Sequence, residues 1–137
     1  MLNNGYRYVR NIIEIEKLLK DTGNKYRLIS QRNFKGKTNE KGEIVIPEGT
    51  TLGLQILEDQ SEPVIDKNTG EPKPDNVFET FEVTIVGVQY PLPIKKGSLV
   101  RLYDFMPEFS FYINYNFVLR FGRVEEIKDG KDATNQK

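Results

Sequence analysis

The stretch Phe109-Ser-Phe-Tyr-Ile-Asn-Tyr-Asn-Phe-Val-Leu-Arg-Phe121 alternates two kinds of side chain along one run of chain. A period of two is typical of a β-strand. We expect one face of this strand to lie against a core, and it comprises Phe111, Ile113, Tyr115, Phe117, Leu119 and Phe121. The opposite face is polar and comprises Ser110, Tyr112, Asn114, Asn116, Val118 and Arg120. A wet sheet face that offers a ring and a cation suits base stacking, although ordinary solvent faces also look like this.

The composition argues against most catalytic chemistry. The chain has 137 residues, which is typical of one domain and is enough to bury a core. It has no Cys, which excludes disulfides and thiolate metal sites, and no His, which removes the commonest general base and metal ligand. Ser and Thr therefore have no imidazole to activate them. We expect a non-enzymatic protein without a cofactor or a metal.

The chain also carries no obvious membrane or export signal. The N-terminus lacks the continuous apolar run of a signal peptide, and no segment approaches the ~20 apolar residues of a membrane span. The absence of Cys fits a reducing compartment. The sequence therefore predicts a soluble, cytoplasmic protein with no membrane partner.

The charges are balanced in total but uneven along the chain, with 20 basic and 20 acidic residues. Residues 25–41 carry six basic residues and one acidic residue, a net of +5. Residues 59–82 carry seven acidic and two basic residues, a net of −5. Either this asymmetry makes one face basic on a neutral protein, or the two segments neutralise each other across the fold.

The remaining patterns predict one helix followed by five or six strands. Residues 11–21 have helical periodicity, with Asn11 as a candidate cap and Gly23 just past the end. Strands are expected at 26–29, 43–49, 51–57, 77–88, 99–105 and in the closing block, with polar loops at 33–42 and 58–76. Gly53 suggests a bulge or a close backbone contact.

These elements predict a mainly β fold, a small antiparallel OB-like barrel with an N-terminal arm and a short α-helix. The expected organisation is an arm and helix at 1–25, the barrel at 26–127 and a flexible polar tail at 128–137. Asp66-Lys-Asn-Thr-Gly-Glu71 resembles a calcium loop, but Gly70 occupies the fifth position where the EF-hand pattern needs the sixth. We interpret this segment as a turn.

Several rings and cations are candidates for binding a single-stranded nucleic acid, in which rings stack bases and cations contact phosphates. The candidates lie in the basic segment and on the last two predicted strands: Arg27, Arg32, Phe34, Lys35, Lys37, Arg101, Tyr103, Tyr112 and Arg120. Arg101 and Tyr103 share one face by their spacing. Each has an ordinary alternative, namely cross-strand packing or a local anchor for the rings and solvation or ion pairing for the cations.

The N-terminal arm offers a second candidate surface, for self-association. It comprises Tyr6, Tyr8, Val9 and Ile12. These apolar side chains either reach a neighbouring subunit and chain protomers along a strand, or close one end of the protomer's own barrel.

The overall plan resembles a known family. A β core follows an N-terminal helix, a Lys-Lys-Gly turn lies at 95–97, and an aromatic strand ends in Leu119-Arg-Phe-Gly122. This plan is similar to OB-fold single-stranded DNA-binding proteins carried on conjugative plasmids and mobile elements of Gram-positive bacteria, over residues 26–127. The resemblance implies an accessory role in DNA transfer or plasmid replication. The chain lacks Trp and an acidic C-terminal tail, so the resemblance does not imply partner recruitment through such a tail.

Three functions stay open. The first is a single-stranded DNA-binding module of little sequence specificity, with RNA not distinguished from DNA. The second is a protein–protein adaptor or structural component of a phage or secretion apparatus, which would not need the cations of residues 25–41. The third is a nuclease inhibitor that mimics nucleic acid through residues 59–82, although the neutral total charge disfavours it.

Overall fold

A computed structural model describes residues 2–4, 8, 13–113 and 116–128. One helix, α1 (Ile15–Thr22), precedes the strands. The strands are β1 (Tyr26–Phe34), β2 (Lys37–Thr38), β3 (Ile44–Ile46), β4 (Gly49–Ile56), β5 (Thr80–Val86), β6 (Leu99–Phe105), β7 (Phe111–Ile113) and β8 (Asn116–Glu126). A single 3-10 turn, Pro107–Phe109, lies between β6 and β7.

Five strands close into a ring in the order β5-β4-β1-β6-β8, and β8 returns to β5. The β5–β8 pairing is parallel, and the other four pairings of the ring are antiparallel. β2 and β3 form a separate hairpin between β1 and β4, and β7 pairs with β8. The structure therefore confirms the predicted mainly β, OB-like barrel with a short helix.

Alternating side chains fill the inside of the barrel. In β4, Leu52, Leu54 and Ile56 are fully buried, as their spacing predicts. Opposite this strand the register of β1 shifts between Leu28 and Ser30, which marks a bulge beside Gly53. A Cβ on Gly53 would lie 2.5 Å from Ser30 Oγ, so a bulge is present opposite this glycine and its near neighbour is a side-chain hydroxyl and not backbone.

The helix and the first residues belong to the same core as the barrel. Ile15, Leu18, Leu2 and Tyr8 are buried in one cluster with the barrel strands. The helix starts at Ile15, later than the periodicity predicts, and ends at Thr22. Gly23 lies just past the end, as predicted, and has a left-handed conformation. The candidate cap Asn11 lies outside the described residues. Within those residues, no helix is long and apolar enough to cross a membrane.

The prediction of one strand over residues 109–121 is wrong. The chain forms the 3-10 turn, then β7, and then reverses into β8, so that Tyr112 pairs with Phe117 and Ile113 with Asn116. Two strands separated by two residues keep a period of two, so the pattern alone does not reveal the reversal.

The faces of this block change accordingly. Leu119 and Phe121 are buried as predicted, and Phe117 packs against the core. Phe111, predicted to face the core, is instead 43% exposed. The side chains of residues 113–115 lie outside the described part of the chain.

The other predicted strands are present, but several begin or end at residues other than those predicted. β1 extends to Phe34, beyond the predicted end at Ile29, because its second half is also paired with β4 although it is largely polar. β6 has the predicted bounds. The segment from Asp66 to Glu71 is a turn, in which the Asp66 carboxylate accepts a hydrogen bond from the Asn68 amide at 2.8 Å.

Candidate nucleic-acid interface

An open cleft of about 440 Å³ lies on the outside of the barrel. It runs across β1, β4, β5 and β8 and is lined by Leu2, Ile29, Ser30, Gly53, Thr80, Phe81, Glu82, Asn116 and Phe117. β4 and β5 are the second and third strands of the five-stranded ring, counted along the chain. Residues 35–48, between the first two ring strands, contain the β2–β3 hairpin, and the segment that starts at Met106 links β6 to β8.

A bidentate ion pair stands at this face. Arg32 of β1 donates to both carboxylate oxygens of Glu82 of β5, at 2.6 and 3.0 Å. The hydrogen bond from Arg32 lowers the pKa of Glu82. Arg32 comes from the basic segment and Glu82 from the acidic one, so this pair is one place where the two segments neutralise each other.

Arg120 is buried, and the prediction that it lies on a wet face is wrong. Only 5% of the residue is exposed. Its guanidinium carbon lies 5.2 Å from the ring centre of Phe34 and 5.9 Å from that of Phe111. Nη1 donates to the Phe109 carbonyl at 2.9 Å. The 3-10 turn and β7 contribute Phe109 and Phe111, so the unforeseen chain reversal explains the burial.

Tyr112 lies beside its cross-strand neighbour. The rings of Tyr112 and Phe117 are 4.6 Å apart, with planes inclined at 47°. Phe117 lines the cleft, and Tyr112 remains partly exposed. Tyr112 therefore makes a cross-strand contact, and part of its ring remains exposed to solvent.

Two exposed lysines lie at the start of the segment that contains the β2–β3 hairpin. Lys35 and Lys37 are exposed, and neither makes an ion pair within the described residues. The turn of the hairpin is ordered by Asn39, whose Oδ1 accepts hydrogen bonds from the Lys41 and Glu43 amides at 2.9 and 3.0 Å. Lys37 therefore belongs to a hairpin whose turn is held by side-chain hydrogen bonds, and Lys35 lies between β1 and that hairpin.

The hairpin also exposes apolar side chains that the sequence pattern does not reveal. Ile44 is 73% exposed and Val45 is 46% exposed. The sequence predicts a strand at residues 43–49, which contain three consecutive β-branched residues. The strand exists, but β3 pairs with β2 alone and is not part of the ring.

Three predicted residues lie elsewhere. Arg27 donates to the Gly97 carbonyl at 2.8 Å, and Arg101 donates to the Asn24 carbonyl at 3.4 Å. Tyr103 is covered by the Arg123 guanidinium, 4.2 Å from the ring centre. β6 pairs with β1 and β8 and not with β4 or β5. β6 is adjacent to β8, as the prediction of neighbouring strands requires, but Arg120 is buried and so does not share an exposed face with Arg101 and Tyr103.

The arm residue that the structure describes is internal. Tyr8 is 1% exposed, its hydroxyl lies 3.1 Å from an Asp21 carboxylate oxygen, and the Lys17 ammonium lies 4.9 Å from its ring centre. In this structure Tyr8 is unavailable as an exposed contact to a neighbour, and it packs as expected of an arm that closes its own barrel. Tyr6, Val9 and Ile12 lie outside the described residues.

Sequence reasoning missed the residues that form the floor and wall of the cleft. Ser30, Thr80 and Glu82 are polar residues on strands, and nothing in their spacing marks them as neighbours. The one signal in the sequence was Gly53, which has no side chain to fill the space beside Ser30. Comparisons with protein-family models, with curated proteins and with solved structures found no match.

Proposed function

We propose that this protein is a non-enzymatic module that binds single-stranded DNA with little sequence preference. The observation that carries the proposal is the cleft across β4 and β5, the second and third strands of the ring. The β2–β3 hairpin lies in the connection between the first two ring strands, and β7 lies in the connection between the last two. In OB-folds the face of the second and third strands and these two connecting loops bind oligonucleotides. A fold alone does not assign a function, so the residues at the face must supply the chemistry.

The hairpin supplies cations for phosphates. Lys35 and Lys37 are exposed and, within the described residues, have no acidic partner that a ligand would have to displace. Each phosphate contact releases condensed counterions, so that affinity depends steeply on salt.

The partly exposed ring of Tyr112 supplies a stacking surface beside the cleft, supported from behind by Phe117. Stacking on an aromatic side chain is worth about 1–3 kcal/mol per base and tolerates any base. This chemistry favours single strands, whose bases are accessible, and predicts little sequence preference. It does not separate DNA from RNA.

The biological setting is proposed from the resemblance noted in the sequence. Single-stranded DNA is an intermediate of conjugative transfer and of plasmid replication, and we place the protein as an accessory factor in one of these processes. Self-association along the DNA through the N-terminal arm belongs to the same proposal, although the burial of Tyr8 leaves Tyr6, Val9 and Ile12 as the arm residues that would have to mediate it.

A second candidate function is a protein–protein adaptor. The exposed Ile44 and Val45 favour it, because apolar side chains presented on a hairpin suit a protein partner. An apolar interface is insensitive to salt compared with phosphate binding.

The test is a titration of a fluorescent 60-mer of mixed-sequence single-stranded DNA at about 50 and 300 mM salt, with duplex DNA and single-stranded RNA in parallel. We expect preferential binding to single strands and weaker binding at the higher salt. No binding at the lower salt would reject the proposal in favour of an adaptor.

Charge variants locate the contact. Replacing Lys35 and Lys37 together by Gln should reduce the slope of log K against log salt by about 1.4, at about 0.7 per phosphate on a single strand. Replacing the exposed Lys67 and Lys73 by Gln removes the same charge from the 58–76 loop. Equal effects of the two pairs would show that net charge, and not the hairpin, determines binding.

A further inference from the structure

Arg120 has an incomplete set of partners. It is 5% exposed, and its Nε is a buried donor that finds no hydrogen-bond acceptor among the described residues. Among the described residues no Asp or Glu forms an ion pair with it; its named partners are the Phe109 carbonyl and two aromatic rings. Arginine is almost never fully buried without a pairing group, and an unsatisfied buried donor destabilises the fold. The residue therefore has capacity for an anion that this set of neighbours does not supply.

The residue in register with Arg120 on the adjacent strand is neutral. In register with Arg120 on β5 is Thr84, whose hydroxyl lies 2.9 Å from that of Thr51 on β4. Burial away from solvent lowers the pKa of Arg120. The acidic Glu82, two residues before Thr84 on the same face of β5, is held in its ion pair with Arg32, and among the described residues no acidic side chain forms an ion pair with Arg120.

Two rings, Phe34 and Phe111, lie over the guanidinium, and Phe111 is the more exposed of them. Phe111 has one side over Arg120, while 43% of the residue faces solvent. It starts β7, a strand of three residues whose described pairing is with β8. Rotation of this one ring would open a path from solvent to Arg120 without breaking the barrel. Cation–π contact with the two rings holds the guanidinium in the closed arrangement.

We propose that Arg120 is a covered phosphate-binding site, opened when the Phe111 ring moves aside. A phosphate oxygen then accepts a hydrogen bond from Nε, and the guanidinium contacts the phosphate through its fork of donors. The source is either a backbone phosphate of single-stranded DNA or a free phosphate group. The first source rests on the proposed function, and the second does not.

The experiment follows the Arg120 Nε–Hε signal by ¹⁵N NMR, assigned by its loss in Arg120→Met, during titration with inorganic pyrophosphate or with a 12-mer of thymidylate. We expect Phe111→Ala to bind pyrophosphate about 2- to 30-fold more tightly than wild type, the range for one cation–π contact. Phe78→Gly, which removes another exposed ring at a residue with φ of 68°, should match wild type. An unchanged or weakened affinity in Phe111→Ala would overturn the proposal.

The DNA arm separates a direct contact from a structural role. Arg120→Met should lower the slope of log K against log salt for the thymidylate by about 0.7, the value for one phosphate contact on a single strand. An altered fold alone would change affinity and leave that slope intact, so an unchanged slope would overturn the DNA contact. Pyrophosphate binding at Arg120 without any DNA binding would support the phosphate site and reject the proposed function. Urea unfolding of each variant verifies that it is folded.

Discussion

Replacing Glu82 by Gln should increase the affinity of the cleft for single-stranded DNA. Glu82 holds Arg32 in a bidentate ion pair, with 56% and 62% of the two side chains exposed. The substitution keeps the size of the side chain and removes its charge. The Arg32 guanidinium then becomes available to a phosphate on the face where the proposed ligand lies.

The magnitude follows from counterion release. One additional phosphate contact steepens the slope of log K against log salt by about 0.7 on a single strand. Between about 50 and 300 mM, a sixfold change, the affinity of Glu82→Gln relative to wild type should therefore fall by about 3.5-fold. The cost in stability is small, because an exposed pair contributes about 0.2–1 kcal/mol.

The assay combines fluorescence anisotropy at several salt concentrations with urea unfolding of the same samples. Arg32→Gln is the matched control, because it removes the other half of the pair and should leave the salt slope as in wild type. Weaker DNA binding by Glu82→Gln would refute the reasoning, because it would mean that Glu82 itself contacts the ligand or that the strand lies elsewhere.

The ion pair also predicts a pH dependence of stability. Arg32 lowers the folded-state pKa of Glu82 below the ordinary value of 4.5. The contribution of the pair is therefore present above that value and is lost as pH falls through the folded-state pKa. The difference in unfolding free energy between wild type and Glu82→Gln should vanish in acid, and a difference that persists there would contradict this assignment.

Three further predictions concern the barrel and its closure. Gly49→Ala should destabilise the protein by about 1–3 kcal/mol in urea unfolding, because the new Cβ would collide with the backbone carbonyl of Ile85. Burial raises the pKa of Tyr26 to about 12, so stability should be lost as pH rises through that value, and Tyr26→Phe should abolish this component of alkaline unfolding followed by tyrosinate absorbance. Tyr8→Ala should cost about 3–5 kcal/mol by urea unfolding, the range for removing a buried aromatic ring; a cost below about 1 kcal/mol would mean that the arm does not pack on the barrel.

The fold class was predictable because burial imposes a period of two on the barrel strands. Leu52, Leu54 and Ile56 alternate in β4, and the bounds of β6 follow from the same pattern. The helix end was marked by Gly23, whose conformation disfavours other residues. These are local signals, and each reflects one strand or one turn.

The candidate site depends on contacts between residues that are distant in sequence. Arg32 and Glu82 are 50 residues apart, and neither sequence context identifies the other as its partner. The burial of Arg120 depends on a reversal within an uninterrupted alternating pattern, which hides the start of β8. The numbers of charged and aromatic residues therefore predicted a class of ligand. Where these residues lie on the surface depends on the strand order, which the sequence does not reveal.

The most direct test of the central claim is the NMR footprint of a short single-stranded oligonucleotide on the ¹⁵N-labelled protein. We predict that amide shifts cluster at Ser30, Gly53 and Glu82 and on the β2–β3 hairpin. Shifts that cluster instead around Arg101 and Tyr103 on β6, or no shifts at low salt, would contradict the account.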